Sequence, residues 1–279
     1  LLVTPRWPPP TPPPEPPDMH NEPMRAHRRR TVRTVQVRVT AVQRVGDDEP
    51  EHRVAVSTEG GVMTLALDSP HNRNAMSTAL VDQLRQGLTD AADDPGVRVV
   101  VLGHTGGTFC AGADLSEAAG RDPGDLATAR ALEAAGLLRS ILELPVPVIA
   151  AIDGHVRAGG MGLIGACDLV VAGTASTFAL TEARIGVAPS IISLTLLPKM
   201  TARAAGRYFV TGEKFGAEEA ERIGLVTVAT DDVPATVAKL TDEITKGSPQ
   251  GLAASKALTT ASILADFDRD AEKLAKQSA

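Results

Sequence analysis

Val97–Leu102 reads VRVVVL and runs directly into Gly103–Glu117, GHTGGTFCAGADLSE. A short, near-continuous apolar run of this kind is the signature of a strand buried on both faces. Gly103, Gly106, Gly107 and Gly112 follow it; they let the backbone turn freely and let a ligand approach the main chain. The pattern recurs at Val146–Ala151 (VPVIAA), which leads into Asp153–Gly162, DGHVRAGGMG. There Ala158-Gly159-Gly160 opens a helix whose first N–H groups have no intrahelical acceptors, an arrangement that attracts anions. Two strand-end loops with free amides suggest a divided oxyanion hole. Small residues at a helix start serve close packing equally well, and spacing alone leaves both readings open.

Outward from these loops the pattern is one of repeated strand–strand–helix units. HRVAVST and VMTLALD, divided by Glu59-Gly60-Gly61, read as two strands joined by a tight turn. Ser77 caps a helix running to about Ala92, with Leu80, Val81, Leu84 and Leu88 on one face. A second helix spans about Leu126 to Leu142, Asp168–Ala172 (DLVVA) is another buried strand, and the chain from Glu182 onward is mainly helical. The order implies an α/β fold with helices packed over sheets. It divides into a Pro/Arg-rich leader at 1–50, a catalytic domain at 51–230 and a helical C-terminal region at 231–279.

Composition narrows the function. The 279 residues are 43% hydrophobic but only 3% aromatic, so aliphatic side chains fill the core. A net charge of −6 argues against nucleic acid as a partner. No apolar run reaches the ~18 residues needed to span a bilayer. Cys110 and Cys167 lie in apolar stretches rather than at metal-ligand spacing and read as buried free thiols of a reducing cytoplasm; no metal is expected. Nine of the 20 prolines fall between Pro5 and Pro17, ahead of several arginines. Such a leader cannot build a core and reads as disordered or non-native.

Gly160-Met161-Gly162-Leu163-Ile164-Gly165 also matches the dinucleotide pattern G-x-G-x-x-G. The match is weak: about eight residues separate the strand end from Gly160, where that fold needs a tight turn, and DLVVA offers no acid for a ribose. No P-loop and no G-x-S-x-G elbow is present.

The two loops carry a resemblance. VVVLGHTGGTFCAGADLSE resembles the first signature of the crotonase (enoyl-CoA hydratase/isomerase) superfamily, and VIAAIDGHVRAGGMGLIGACDLVVAGTASTFALTEARIGVAP resembles the second, over a stretch from about Val54 to Leu264. The resemblance implies a crotonase-like spiral of strand-strand-helix units with a helical C-terminal region. It implies that the amides of Ala113 and Gly159 hold a thioester oxygen. It further implies that Ala111, Gly112, Asp114 and Leu115, with the turn carrying Asn72, Arg73 and Ala75, line the coenzyme A site. Coenzyme A is then part of the substrate, no separate cofactor is expected, and the chain is a homotrimer or hexamer. Family members continue into a further C-terminal helix, so the resemblance also implies that the helical region here is truncated.

Hydration of a conjugated thioester needs a base for water and an acid for the α-carbon; a partly desolvated carboxylate with a raised pKa serves both. The resemblance places one catalytic glutamate at Glu182, against the plainer reading of a helix-start carboxylate paired with Arg184. The position of the usual second glutamate is Gly162. A single-base hydratase, a double-bond isomerase, a decarboxylase or an inactive binding scaffold all remain open, and GMGLIGACD resembles methylglutaconyl-CoA hydratases of branched-chain breakdown. Glu117 and Glu133 read as solvated surface charges, and His155 as a structural hydrogen-bonding residue.

The leader generates a direct test. A chain beginning near Glu49 is expected to keep the melting temperature and activity of the full chain, because the leader's composition cannot offset its ordering entropy. Calorimetry and a turnover assay on both lengths check it; a markedly lower melting temperature would contradict the assignment.

Overall fold

The computed structural model describes residues 52–118 and 123–277; the expected leader lies outside them. The first hairpin is β1 (Val54–Glu59) and β2 (Val62–Leu67), antiparallel, with Glu59 opposite Val62. Gly60 and Gly61 both take positive φ (58° and 83°), the backbone that a two-residue turn between twisted strands demands. Ser77 caps α1 (Thr78–Asp93) by accepting a hydrogen bond from the Leu80 N–H, and Leu80, Val81, Leu84 and Leu88 face inward, as the periodicity predicts.

Three strand pairs follow in sequence. β3 (Val99–His104) continues into β4 (Thr108–Cys110), then α2 (Pro123–Glu143). β5 (Val148–Ile152) continues into β6 (His155–Arg157), then α3 (Gly159–Ala166). β7 (Leu169–Gly173) continues into β8 (Thr177–Ala179) and a 3-10 turn, Glu182–Ile185. The chain ends in α4 (Ser190–Leu196), α5 (Ala202–Thr211), β9 (Phe215–Gly216), α6 (Ala217–Arg222), β10 (Val228–Thr230), α7 (Val233–Thr245) and α8 (Pro249–Gln277). The large sheet has the order β1-β2-β3-β5-β7-β10 and the small one β4-β6-β8-β9. Each of the three strand pairs therefore gives one strand to each sheet, whereas β1 and β2 both join the large one.

The apolar runs are explained by this layering. Val100, Leu102, Val148, Ala150 and Val170 point into the main core, while Val99, Val101, Ile149 and Val171 point the other way, against Val233 and Val237 of α7. Strands covered on both faces need no polar alternation. Two features differ from the expectation. The two loops each contain a strand, β4 and β6, and the region after Glu182 contributes β9 and β10 to the two sheets. Both additions are two or three residues long, too short to show a period.

α8 is fastened to the sheet by a buried charge. Lys256 Nζ donates to the carbonyls of Ile141 (2.8 Å) and Val146 (3.1 Å) and lies 2.8 Å from Asp168 Oδ2. Asp168 Oδ2 also accepts the N–H of Val148, at the start of β5. Lys256 thus holds together the exit of α2, the entry to β5 and the entry to β7. Burial holds its ammonium below the usual lysine range, with Asp168 opposing the shift. Lys256→Ala strands the Asp168 carboxylate and leaves two carbonyls without a donor. A loss of about 3–5 kcal/mol is expected, read as the midpoint of urea unfolding; a loss below about 1 kcal/mol would show the clamp to be dispensable.

Candidate active site

The small sheet decides where the chemistry can sit. β4, β6 and β8 run parallel, with Cys110 beside Val156 and Val156 beside Phe178. The residues that leave the three strands, 111–113, 158–159 and 180–182, therefore emerge at one edge. The N–H of Ala158 bonds the Ala179 carbonyl at 3.2 Å, keeping the second and third exits together.

The first and second exits touch through backbone. A Cβ on Gly112 would lie 2.8 Å from Ala158 Cβ and 3.2 Å from the Gly159 nitrogen. A Cβ on Gly159 would lie 3.8 Å from the Ala113 nitrogen and would collide with Met76 Cε. Gly112 also has φ +98°, which L side chains rarely adopt. Ala158, the residue before α3, holds φ 47° and ψ −122°, a strained backbone in a non-glycine residue. Strain of this kind persists where surrounding contacts over-determine it, and it concentrates at functional sites. Among the described residues neither the Ala113 nor the Gly159 N–H donates to an acceptor. Two free donors on contacting segments can hold one oxygen anion.

The segment carrying Asn72, Arg73 and Ala75 is tied to the same place. The Ala111 N–H donates to the Arg73 carbonyl (3.1 Å), Met76 N–H to Gly112 (2.8 Å) and Asp114 N–H to Met76 (3.4 Å). Asn72 Nδ2 donates to Asp114 Oδ2 at 3.0 Å, while Asp114 Oδ1 accepts from the Ser116 hydroxyl and N–H. Those bonds, the Ser116 hydroxyl first, hold the Asp114 carboxyl below the usual range. Leu115 begins the 3-10 turn Leu115–Ala118. Asn72, Arg73, Ala75, Ala111, Gly112, Asp114 and Leu115 are thus brought into one neighbourhood. The Arg73 side chain is exposed and no described acid pairs with it.

Asn74 is a residue that sequence reasoning passed over. It is fully buried, with φ 53°; its Oδ1 accepts the Ser69 N–H at 2.6 Å and its Nδ2 donates to the carbonyls of Thr105 and Thr108. It pins the Asn72–Met76 turn onto the first loop. The only signal in the chain was an asparagine in a short polar turn, which tolerates left-handed backbone.

Glu182 is half-buried at the start of its 3-10 turn. Its Oε2 is inaccessible and meets no donor among the described residues. Burial raises its pKa above the usual carboxylate range, opposed by the N–H groups of Glu182 itself and Thr181. Arg184 is not its partner: the guanidinium Nε donates to the Thr211 carbonyl instead. Glu117 and Glu133 are not simple solvated charges. Both pair with Arg130, and Glu117 also accepts from the N–H and hydroxyl of Thr78 at the start of α1. Glu117 thus ties the start of α1 to α2, while Glu133 pairs with Arg130 inside α2. His155 is exposed, with Nδ1 3.0 Å from the Thr177 hydroxyl. Cys110 and Cys167 are free and buried, which pushes both thiols up to about 12. Among the described residues no group of three His, Cys, Asp or Glu side chains could hold a metal.

The glycines of the dinucleotide-like run have another use. A Cβ on Gly160 would meet Cys110, one on Gly162 would meet Ile192 and one on Gly165 would meet Thr195. They let α3 pack against the first loop and α4, and no phosphate is needed to explain them.

A two-sheet spiral with paired amides and a desolvated carboxylate at one sheet edge defines a protein of the crotonase class. The family model "Enoyl-CoA hydratase/isomerase" matches residues 57–276. The chain belongs to this family, which acts on acyl-CoA substrates. A solved structure of an enoyl-CoA hydratase from Mycobacterium avium is 62% identical with a TM-score of 0.77, over 82% of this chain and 90% of that one. A structure from Mycobacterium avium paratuberculosis is 65% identical with a TM-score of 0.77, over 81% and 89%. The carnitinyl-CoA dehydratase of Proteus mirabilis is 33% identical over 205 residues, 72% of this chain and 77% of the relative.

The state of Glu182 makes a stability prediction with a defined sign. A carboxyl whose folded pKa is raised is disfavoured as the anion in the folded state. That penalty is absent below the ordinary carboxylate pKa of about 4.3 and complete above the folded value. Glu182→Gln removes it, so the variant is expected to melt higher than the parent at pH 7, with the gain vanishing toward pH 4. Melting curves across that range check it; a variant less stable at pH 7 would mean that the carboxylate is favourably held.

Proposed function

We propose that the chain is an enoyl-CoA hydratase in which Glu182 is the sole essential carboxylate. The observation that carries the reading is the meeting of two unpartnered amides, Ala113 and Gly159, at the sheet edge where the desolvated Glu182 also emerges. The thioester oxygen sits between the amides, which stabilise the enolate as charge develops; one such donor contributes about 2.7–4 kcal/mol. Glu182, with its raised pKa, takes a proton from water as the oxygen adds to the β-carbon and returns one to the α-carbon. Coenzyme A is held by the Asn72–Ala75 turn and the Ala111–Leu115 segment, and the exposed Arg73 offers its guanidinium to a phosphate. No cofactor beyond the substrate's own coenzyme A is required.

A second reading, a double-bond isomerase, is favoured by one observation: Gly162 and the residues that a side chain there would meet, Ile192 and Leu138, carry no carboxylate. One base can move a proton between the α- and γ-carbons without water. Ile185, Leu197 and Val210 are exposed on the Glu182 turn and the helices beyond it, and this apolar surface supports assembly into a homotrimer or hexamer. Among the described residues no helix is long and apolar enough to cross a membrane; together with the buried free thiols this supports a cytoplasmic enzyme.

The test offers crotonyl-CoA, a 3-enoyl-CoA and 3-methylglutaconyl-CoA to the parent and to Glu182→Gln. Hydration of crotonyl-CoA is expected in the parent, with kcat lowered at least about a hundredfold in the variant, since general acid–base groups contribute roughly 10²–10⁴-fold. Thioester affinity is expected to stay within a few-fold. Turnover of the 3-enoyl-CoA alone would select the isomerase, and binding without turnover of any thioester would mark an inactive scaffold.

A further inference from the structure

Asp153, Gly154 and His155 carry the chain from the large sheet to the small one, out of β5 and into β6. Their successive N–H groups each find an acceptor on a neighbouring strand pair. Asp153 donates to His104 Nε2 at 3.0 Å, Gly154 to Ser176 Oγ at 3.2 Å and His155 to the Gly107 carbonyl at 3.1 Å. His104 ends β3 and is half-buried, its ring edge-on to Phe109 with centroids 5.6 Å apart. A Cβ on Gly154 would lie 2.9 Å from His104 Cε1 and 2.7 Å from the Gly107 oxygen, so ring and turn are in close contact.

Because Nε2 accepts, the neutral ring carries its proton on Nδ1, which faces the Thr105 carbonyl at 3.4 Å. A second proton would set one N–H against another at Asp153. Burial holds the ring below the usual histidine range, opposed by the Thr105 backbone, the Asp153 charge and the Gly106 backbone. Leu67 beside it on β2, Phe109 and Gly154 are uncharged, and Asp68 accepts from the neighbouring Thr105 hydroxyl. Of the acceptors in this turn, only the ring can be lost by taking up a proton near neutral pH.

We infer that His104 is a positioning residue for the amide pair: by accepting the Asp153 N–H it fixes the start of β6 against the first loop, and so sets where the Gly159 N–H lies relative to that of Ala113. β6 is 3 residues long, and its pairing with β4 already shifts between Thr108 and Cys110. Little backbone therefore separates a disturbance at Asp153 from Ala158, which is strained at φ 47°. The inference rests on reading the amides as an oxyanion site but not on which reaction that site performs.

The test compares the parent with His104→Gln, which keeps an acceptor near the Nε2 position but takes up no proton, and with His104→Phe, which keeps a ring but has no acceptor. Glu182 is common to all three proteins and cancels in the comparison. The first readout needs no substrate. As pH falls from about 8 to about 5.5, the isotope-labelled amide signals of Ala113 and Gly159 are expected to move with the His104 titration in the parent and to stay still in His104→Gln. His104→Phe is expected to displace them already at the higher pH. Amide signals that ignore both the titration and the Phe substitution would overturn the inference. Melting checks the acceptor role separately. With the folded value lowered, the unfolded chain takes up its proton first, below about pH 6.5. The parent is therefore expected to lose at least about 2 °C more than His104→Gln as pH falls through that window; parallel curves would overturn the role. On crotonyl-CoA, His104→Phe is expected to lower kcat about tenfold or more with KM nearly unchanged, since a misplacement of about 1 Å can cost ~10²-fold. His104→Gln is expected to rescue most of that activity and to lack the parent's steeper decline toward low pH. A raised KM with kcat intact would overturn the positioning role. Should His104→Phe fail to fold, the pH arms on the parent and His104→Gln decide. A parent that turns over no thioester would refute the enzymatic reading, and the amide signals would still decide this inference.

Discussion

The site depends on one steric constraint: the backbone at Gly112 lies so close to Ala158 and Gly159 that no side chain fits at position 112. The distances from a notional Cβ on either glycine, 3.2 Å to the Gly159 nitrogen and 3.8 Å to the Ala113 nitrogen, leave no layer between them. A hydrogen-bond donor built from main chain cannot be moved by a rotamer, so its position is as precise as the sheets that carry it. The parallel register of β4, β6 and β8 supplies that precision, and the Asn74 side chain adds a third segment to the same frame. Preorganised donors are effective because no reorganisation is needed when charge appears.

The same geometry costs stability locally. Ala158 sits at positive φ, Arg73 and Asn74 are left-handed in succession, and one oxygen of Glu182 is buried without a donor. Each departs from what a chain would choose in isolation. The offset comes from elsewhere: both faces of the large sheet are covered, and the Lys256 clamp holds the entries to β5 and β7 in register. Distant packing thereby fixes the local strain, which explains why the site elements all leave from strands and none from a long free loop.

Much of this was legible in the sequence, and for identifiable reasons. The apolar runs VRVVVL, VPVIAA and DLVVA have no polar alternation because α7 covers the second face of their sheet, and Ser77 announces α1 by its capping chemistry. Gly112 stands out because its positive φ and the closeness of Ala158 leave no room for a side chain. Less was legible where length or context decides. β6, β9 and β10 are two or three residues long and exist only because neighbouring strands offer them partners. Glu117 and Glu133 looked like surface charges because their common partner, Arg130, lies on a helix whose packing no periodicity reveals. Gly162 read as a missing carboxylate; only the fold shows that Ile192 has taken the space.

That substitution bears on how one carboxylate can serve the site. A second acid facing Glu182 would raise or lower its pKa through charge, making the protons a property of the pair. Desolvation is the principal influence on Glu182, and it acts toward the protonated form, opposed by the nearby N–H groups of Glu182 and Thr181. A lone carboxyl tuned this way lies nearer to neutrality than an exposed glutamate and can exchange a proton with a weakly acidic carbon in either direction. The amides of Ala113 and Gly159 complete the arrangement from the other side. In the proposed mechanism they stabilise the enolate and so make the α-carbon proton more acidic, which narrows from both ends the interval that Glu182 would have to bridge. Under the proposed reading those conditions make a single base sufficient.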